Sequence, residues 1–183
     1  MLATRSWGWL AVMVLAGLSL SACESMSESQ CRVADWGRVG FGDGAAGVSE
    51  QRLADYAKDC GKIGVRPDAR AYRLGWDAGI QRYCTAANGW RAGTAGREHQ
   101  AQVCVGQPGH ETFVRSLNAG LQVYRTQQQI DDNLREIDRL QKRLDHANSD
   151  DERRHLRRLL HNIDQDQYRL RVLIGQQQLM APR

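Results

Sequence analysis

Apolar and polar positions divide this chain into three stretches with different rhythms. Residues 1–22 hold a near-continuous apolar run from Trp7 to Leu20, preceded by one cation, Arg5, and closed by the small residues Ser21 and Ala22. That is the length of a secretory-signal core with its flank and short for a membrane span. At the other end the apolar positions are Phe113, Leu117, Leu121, Tyr124, Ile130, Leu134, Ile137, Leu140 and Leu144, and after a break they resume at Leu156, Leu159, Leu160, Ile163, Leu170, Leu173 and Ile174. Steps of three and four make a narrow stripe on a helix. The break reads "HANSDD", and Ser149 with Glu152 matches a capping box that starts a new helix. Residues 113–183 are therefore expected to form a long antiparallel αα-hairpin, a coiled-coil arm. Gln127, Gln128, Gln141 and Gln167 are expected to interrupt its seam.

The middle stretch follows another rule. "DWGRVGFGDGAAG", "YRLGWDAGIQRYC", "NGWRAGTAG" and "FVRSLNAGLQVY" set glycines and aromatics three and four residues apart, on one helical face. Glycine costs a helix about 1 kcal/mol against alanine. Its repeated use predicts close approach of helix backbones, with an aromatic ring from a neighbour over the gap. Ser49, Asp68 and Thr85 are placed to cap short helices, and Gly61 and Gly64 suit helix ends. No sustained two-residue alternation rich in β-branched residues occurs, so the predicted class is all-α: a small bundle of short helices over residues 31–112, then the arm. "GFGDGAAG" superficially resembles a phosphate-cradling loop, but no Lys-Ser/Thr follows it and no evident strand precedes it.

Composition changes this picture in one respect. The chain has 183 residues, about one ordinary domain, with 25 Lys and Arg against 21 Asp and Glu. The net charge of +4 is too small and too dispersed to point to nucleic acid. Five cysteines in so short a chain point to an oxidising compartment. The run Leu20-Ser21-Ala22-Cys23 resembles the lipobox of bacterial lipoproteins, in which the cysteine thiol is diacylated, the peptide is cut before it and the new amine is acylated. Several acyl chains make a stable anchor where one would not. The resemblance implies a signal peptide over residues 1–22, lipidation at Cys23 and contact with a membrane. Because Glu24 and not Asp follows the cysteine, it further implies sorting to the outer membrane, facing the periplasm. Residues 23–30 then read as a flexible tether.

With Cys23 set aside, Cys31, Cys60, Cys84 and Cys104 form an even set with three possible pairings. No C-x-x-C spacing favours zinc, and two disulfides are the expected use. A helix hairpin starting near Val33 and returning at Cys60 would favour Cys31–Cys60, leaving Cys84–Cys104. The stretch from Cys31 to about Tyr124, with its spaced Cys, Trp, Asp-Gly, Gly and Tyr-Cys positions, resembles a bacterial lipoprotein family, domain of unknown function 2799. That resemblance implies no activity.

Candidate chemistry is sparse. The five histidines show no helical metal-pair spacing, H-E-x-x-H and G-x-S-x-G are absent, and no metal or cofactor site is expected. A ligand surface could be formed by Trp36, Trp76 and Trp90 with Tyr72, Asp43 and Asp77, since aromatic faces stack on sugars and paired carboxylates can do acid–base work. The first expectation is a non-enzymatic structural or adaptor lipoprotein of the cell envelope, with residues 113–183 engaging a protein partner or a second copy. The alternative is a periplasmic binding or hydrolytic domain acting on peptidoglycan or glycans.

Overall fold

The computed structural model describes residues 24–182 and is helical throughout, with no strand among the described residues. The expected signal peptide and Cys23 lie outside the described residues. The elements are α1 (Glu28–Val33), α2 (Trp36–Ala46), α3 (Arg52–Gly61), α4 (Ala69–Tyr83), α5 (Ala86–Thr94), a 3₁₀ helix (Glu98–Cys104), α6 (His110–Asp145) and α7 (Asp150–Gln178). Asp35, Asp68, Thr85 and Ser149 each accept a bond from the backbone of the helix they start. Ser49 does not. A tight turn over residues 49–51 intervenes, its hydroxyl accepts from the Gln51 amide, and α3 begins at Arg52.

The four glycine-rich segments pair off into two copies of one unit. In the first copy α2 lies along α4. An ideal Cβ on Gly40 would stand 2.0 Å from the Tyr72 carbonyl oxygen, one on Gly44 2.4 Å from that of Trp76, one on Gly75 2.0 Å from that of Gly37, and one on Gly79 2.2 Å from that of Phe41. The register ascends on both helices together, so they run parallel. Each carbonyl therefore points along the direction of a glycine Cα–H bond, the geometry of weak C–H···O hydrogen bonds between helices. In the second copy α5 lies along α6 in the same sense, with Gly89 against the Phe113 carbonyl at 2.2 Å and Gly93 against that of Leu117 at 2.2 Å. Both first helices end at a glycine with positive φ, Gly47 at 72° and Gly96 at 70°. At each, the ring of a tyrosine from the paired helix, Tyr83 or Tyr124, fills the place a Cβ would take.

Parallel helices cannot be joined by a tight turn. The first copy crosses back through α3 and the second through the 3₁₀ helix. One disulfide ties each crossover to the start of its copy: Cys31–Cys60 with Cα atoms 5.5 Å apart, and Cys84–Cys104 with Cα atoms 5.6 Å apart. Closing loops of this size stabilises by about 3–4 kcal/mol each in the chain-entropy account. The core around them is aromatic and sulfurous: Tyr72, Ile80, Phe113, Cys60 and Cys104 are wholly buried, with Trp36, Tyr56 and Trp76 beside them.

Two expected boundaries move. The helical domain does not stop at residue 112, because Phe113, Leu117 and Leu121 of α6 belong to its core. Composition changes at that point while the packing pattern continues. Residues 24–30 are not a free tether either. Both the amide and the hydroxyl of Ser25 donate to Asp59 at 2.7 Å, Met26 packs on the core, and Ser27 and Gln30 form a capping box. Lys62 and the two Ser25 bonds hold the Asp59 carboxyl well below the usual carboxylate range.

Beyond the core, α6 and α7 run in opposite directions. Gln167 donates to the Ile130 carbonyl, Asn133 donates to Asp166, and Leu140 and Leu156 are buried together near the turn. Gln127, Gln128 and Gln141 are exposed and interrupt nothing; of the four glutamines only Gln167 is in the seam. Tyr124 and Leu134 are also exposed, because the stripe on α6 is divided between α5 and α7, and Leu173 is exposed on α7.

Three substitutions test this packing by urea unfolding. Gly40→Ala should cost about 1–3 kcal/mol or more, because backbone must move to admit the methyl group. Gly42→Ala, on the open side of the same helix where an added Cβ meets no neighbour among the described residues within 4 Å, should instead gain about 0.5–1 kcal/mol. Gln167 leaves its side-chain oxygen buried without a partner, so Gln167→Leu should raise stability by about 1 kcal/mol; a loss would show that the amide is needed to hold register.

Candidate functional site

The helix pairing decides the fate of every residue expected at a ligand surface. Trp36, Tyr72 and Trp76 point into the core, at 8 %, 0 % and 6 % exposure. Close helix approach requires large side chains beside the glycines to fill the flanks, and these three do so. Trp76 also donates its indole N–H to the Val48 carbonyl at 2.8 Å, fixing the turn after α2. Trp90 is half-buried on α5. The expected aromatic groove over Trp36, Trp76 and Trp90 is therefore not an open surface.

Asp43 is the centre of a three-helix cross-link. Tyr72 of α4 donates to its Oδ2 at 2.7 Å and Tyr56 of α3 to its Oδ1 at 3.3 Å. Tyr56 meets Tyr72 edge-on with centroids 6.1 Å apart, and the Arg52 guanidinium lies over the Tyr56 ring at 5.7 Å. Asp77 takes no part. It is exposed on α4, five residues beyond Tyr72 and so roughly 140° around the helix from it. Asp43 and Asp77 thus have different surroundings, one engaged by two phenols and one in solvent.

An open groove, of about 760 Å³, lies beside this cross-link between the 49–51 turn, α3, α4 and the end of the 3₁₀ helix. Trp76, Leu53, Ala54 and Val103 make its apolar walls, and the Glu50–Arg73 ion pair stands at its rim. Glu50 is the single carboxylate among the described residues that line it, and no histidine or cysteine does so. Among the described residues no group of three or more His, Cys, Asp or Glu is placed to hold a metal ion.

A second surface escaped the sequence reading. Tyr72, Trp76, Gly79 and Gln81 recur as Phe113, Leu117, Gly120 and Gln122, and again as Tyr168, Val172, Gly175 and Gln177 in α7. "YRL" opens both the first and the third set. In the first two sets the glycine meets the backbone of a parallel helix, at 2.2 Å from the Phe41 carbonyl oxygen and 2.6 Å from that of Trp90. In the third, nothing among the described residues lies within 4 Å of a Cβ on Gly175, and Tyr168 and Leu179 are 70 % and 86 % exposed. The signal was available in the sequence, but an apolar stripe of hairpin type on the same helix concealed it.

Burial, and next the bond to Asp43, push the Tyr72 phenol far up from its ordinary value; burial also raises Tyr56 and Tyr83. Above about pH 10 an unfolded tyrosine releases its proton while the folded one keeps it. The folded state then binds more protons, so stability present below that pH is lost as pH rises. The urea midpoint should fall above about pH 10, and Tyr72→Phe should flatten that fall; an unchanged slope would remove Tyr72 from the account.

No curated protein and no solved structure gives a match to this chain. Residues 35–122 do match a family profile, and the span takes in both glycine-helix pairs up to the point where α6 leaves the core. The family is the one described as "Protein of unknown function (DUF2799)", and its profile matches 88 of the 183 residues.

Proposed function

We propose that the protein is a structural adaptor of the bacterial cell envelope, anchored by lipid at Cys23 to the outer membrane and facing the periplasm, with α7 as its docking element. The lipobox-like Leu20-Ser21-Ala22-Cys23 supports the anchor, and the two disulfides suit an oxidising compartment. The observation that carries the adaptor role is the third set in α7. Its face, Tyr168–Val172–Gly175–Leu179, carries the residue types that the body covers with a helix on two other occasions. A helical glycine with no packing role costs about 1 kcal/mol, and Gly175 has none among the described residues. The occupant that fits is a helix of another polypeptide, running parallel to α7 and carrying small residues four apart, as Gly40 and Gly44 or Gly89 and Gly93 do. A wall-hydrolysing role is less well supported, since Asp43 is engaged by two tyrosines and Asp77 stands apart.

A photo-crosslinking residue at position 172, in protein expressed in its native host, tests the docking face. The crosslink should be lost in Gly175→Leu, and the captured peptide should be helical in pattern with small residues four apart. Gly175→Ala should meanwhile gain about 0.5–1 kcal/mol in the isolated protein, since its Cβ meets nothing. An unchanged crosslink in Gly175→Leu, or capture of a second copy of the chain, would overturn the reading.

A further inference from the structure

Glu24, the residue after Cys23, is already fastened to the body. Glu24 accepts from Lys62 at 3.5 Å. Ser25 gives two bonds to Asp59, and Lys62 closes on the other Asp59 oxygen at 2.9 Å. Met26 brings its sulfur to 3.9 Å from that of Cys60, and Cys60 is bonded to Cys31 in α1. Residues 24–26 are thus laid against the last turn of α3 without slack.

The surroundings of that clamp are mainly cationic. Lys58 lies one helical turn before Lys62 on the same exposed face of α3. Arg32 adjoins Cys31, and Arg66 follows Val65, whose amide donates to the Cys60 carbonyl at 3.0 Å. Arg32, Lys58 and Arg66 have no ion-pair partner among the described residues, whereas Asp59 and Glu24 are engaged by Lys62. Val33, beside Arg32, is a large apolar side chain left 82 % exposed. Three exposed cations without ion-pair partners, against the one such carboxylate of α1, Glu28, together with the exposed Val33 suit the headgroup region of a bilayer that contains anionic lipid.

We infer that this face, built from α1, the last turn of α3 and the Lys62–Arg66 turn, rests directly on the membrane. The inference depends on the reading that Cys23 carries the acyl chains. Given that anchor, the clamp allows the body no distance from the bilayer: the lipidated residue is covalently next to Glu24, and Glu24 and Ser25 are held to α3. The body then has one orientation on the membrane, unlike a domain on a long tether.

The chain carries three lysines, Lys58 and Lys62 in this face and Lys142 near the far end of α6, which makes amine labelling a direct probe. Lipidated full-length protein is placed in phosphatidylethanolamine–phosphatidylglycerol vesicles and treated with a water-soluble acylating reagent, with sites read by mass spectrometry. A variant with about twelve Gly and Ser residues inserted between Cys23 and Glu24, a reach of roughly 20 Å, serves as comparison. Labelling of Lys58 relative to Lys142 should be several-fold lower in the natural chain than in the spacer variant. Equal Lys58 labelling in the two, with the N-terminal peptide carrying lipid, would overturn the inference while leaving the anchor intact. An N-terminal peptide without lipid would instead overturn the anchor itself, and this inference with it.

Discussion

Two parallel helices at backbone contact are the constraint from which the rest of this molecule follows. Helix axes normally stay 8–10 Å apart because side chains lie between them. Here carbonyl oxygens of one helix occupy the places where Cβ atoms of the other would be, at Gly40, Gly44, Gly75 and Gly79 and again at Gly89 and Gly93. The alignment also sets like helix dipoles side by side, which is unfavourable. Direct C–H···O contacts and dispersion along the seam work against that repulsion, and a disulfide at the N-terminal side of each pair limits how far the helices can separate on opening. The aromatic residues answer the same constraint. Glycine seams leave little side-chain volume of their own, so Trp36, Tyr56, Tyr72 and Trp76 fill the flanks.

Burying tyrosines in such a core creates a polar demand that apolar neighbours cannot meet. Each phenol needs an acceptor. Asp43 serves Tyr72 and Tyr56, and Gln100 serves Tyr83 at 2.6 Å. The carboxylate that resembled a catalytic group in the sequence is thus the acceptor that lets two phenols be buried. It also joins α2, α3 and α4 at one point, so the crossover helix is fixed by hydrogen bonds at Tyr56 as well as by the disulfide at Cys60.

The class of fold, the caps at Asp68, Thr85 and Ser149 and the meaning of the glycines could all be read from the sequence, because each rests on local chemistry or on a period along one helix. The pairing of the glycine segments could not. Which of four similar helices meets which is decided by the lengths of the crossovers and by parallel registry, and neither leaves a periodic trace. The misplaced boundary at residue 112 has the same origin, since α6 serves the core with its first turns and α7 with later ones while its composition changes early. The candidate site was misjudged for another reason. Tryptophan and tyrosine at helical spacing read alike whether they fill a core or line a groove, and only burial distinguishes them.

The direction of α7 gives the arm its sense. A single helix leaving the core would carry any docking face away from the body. By turning at residues 146–149 and running back along α6, α7 returns Tyr168 and Gly175 beside the stretch of α6 that leaves the second glycine pair. The buried cluster of Leu140, Ala147 and Leu156 holds that turn. The outer half of the arm is thus the means by which the third set of Tyr, Val, Gly and Gln comes to lie next to the second. The relation is rigid, because α6 is one continuous helix of 36 residues shared by core and arm. A partner helix seated on α7 would therefore meet a surface whose position is fixed by the same glycine contacts that hold the body together.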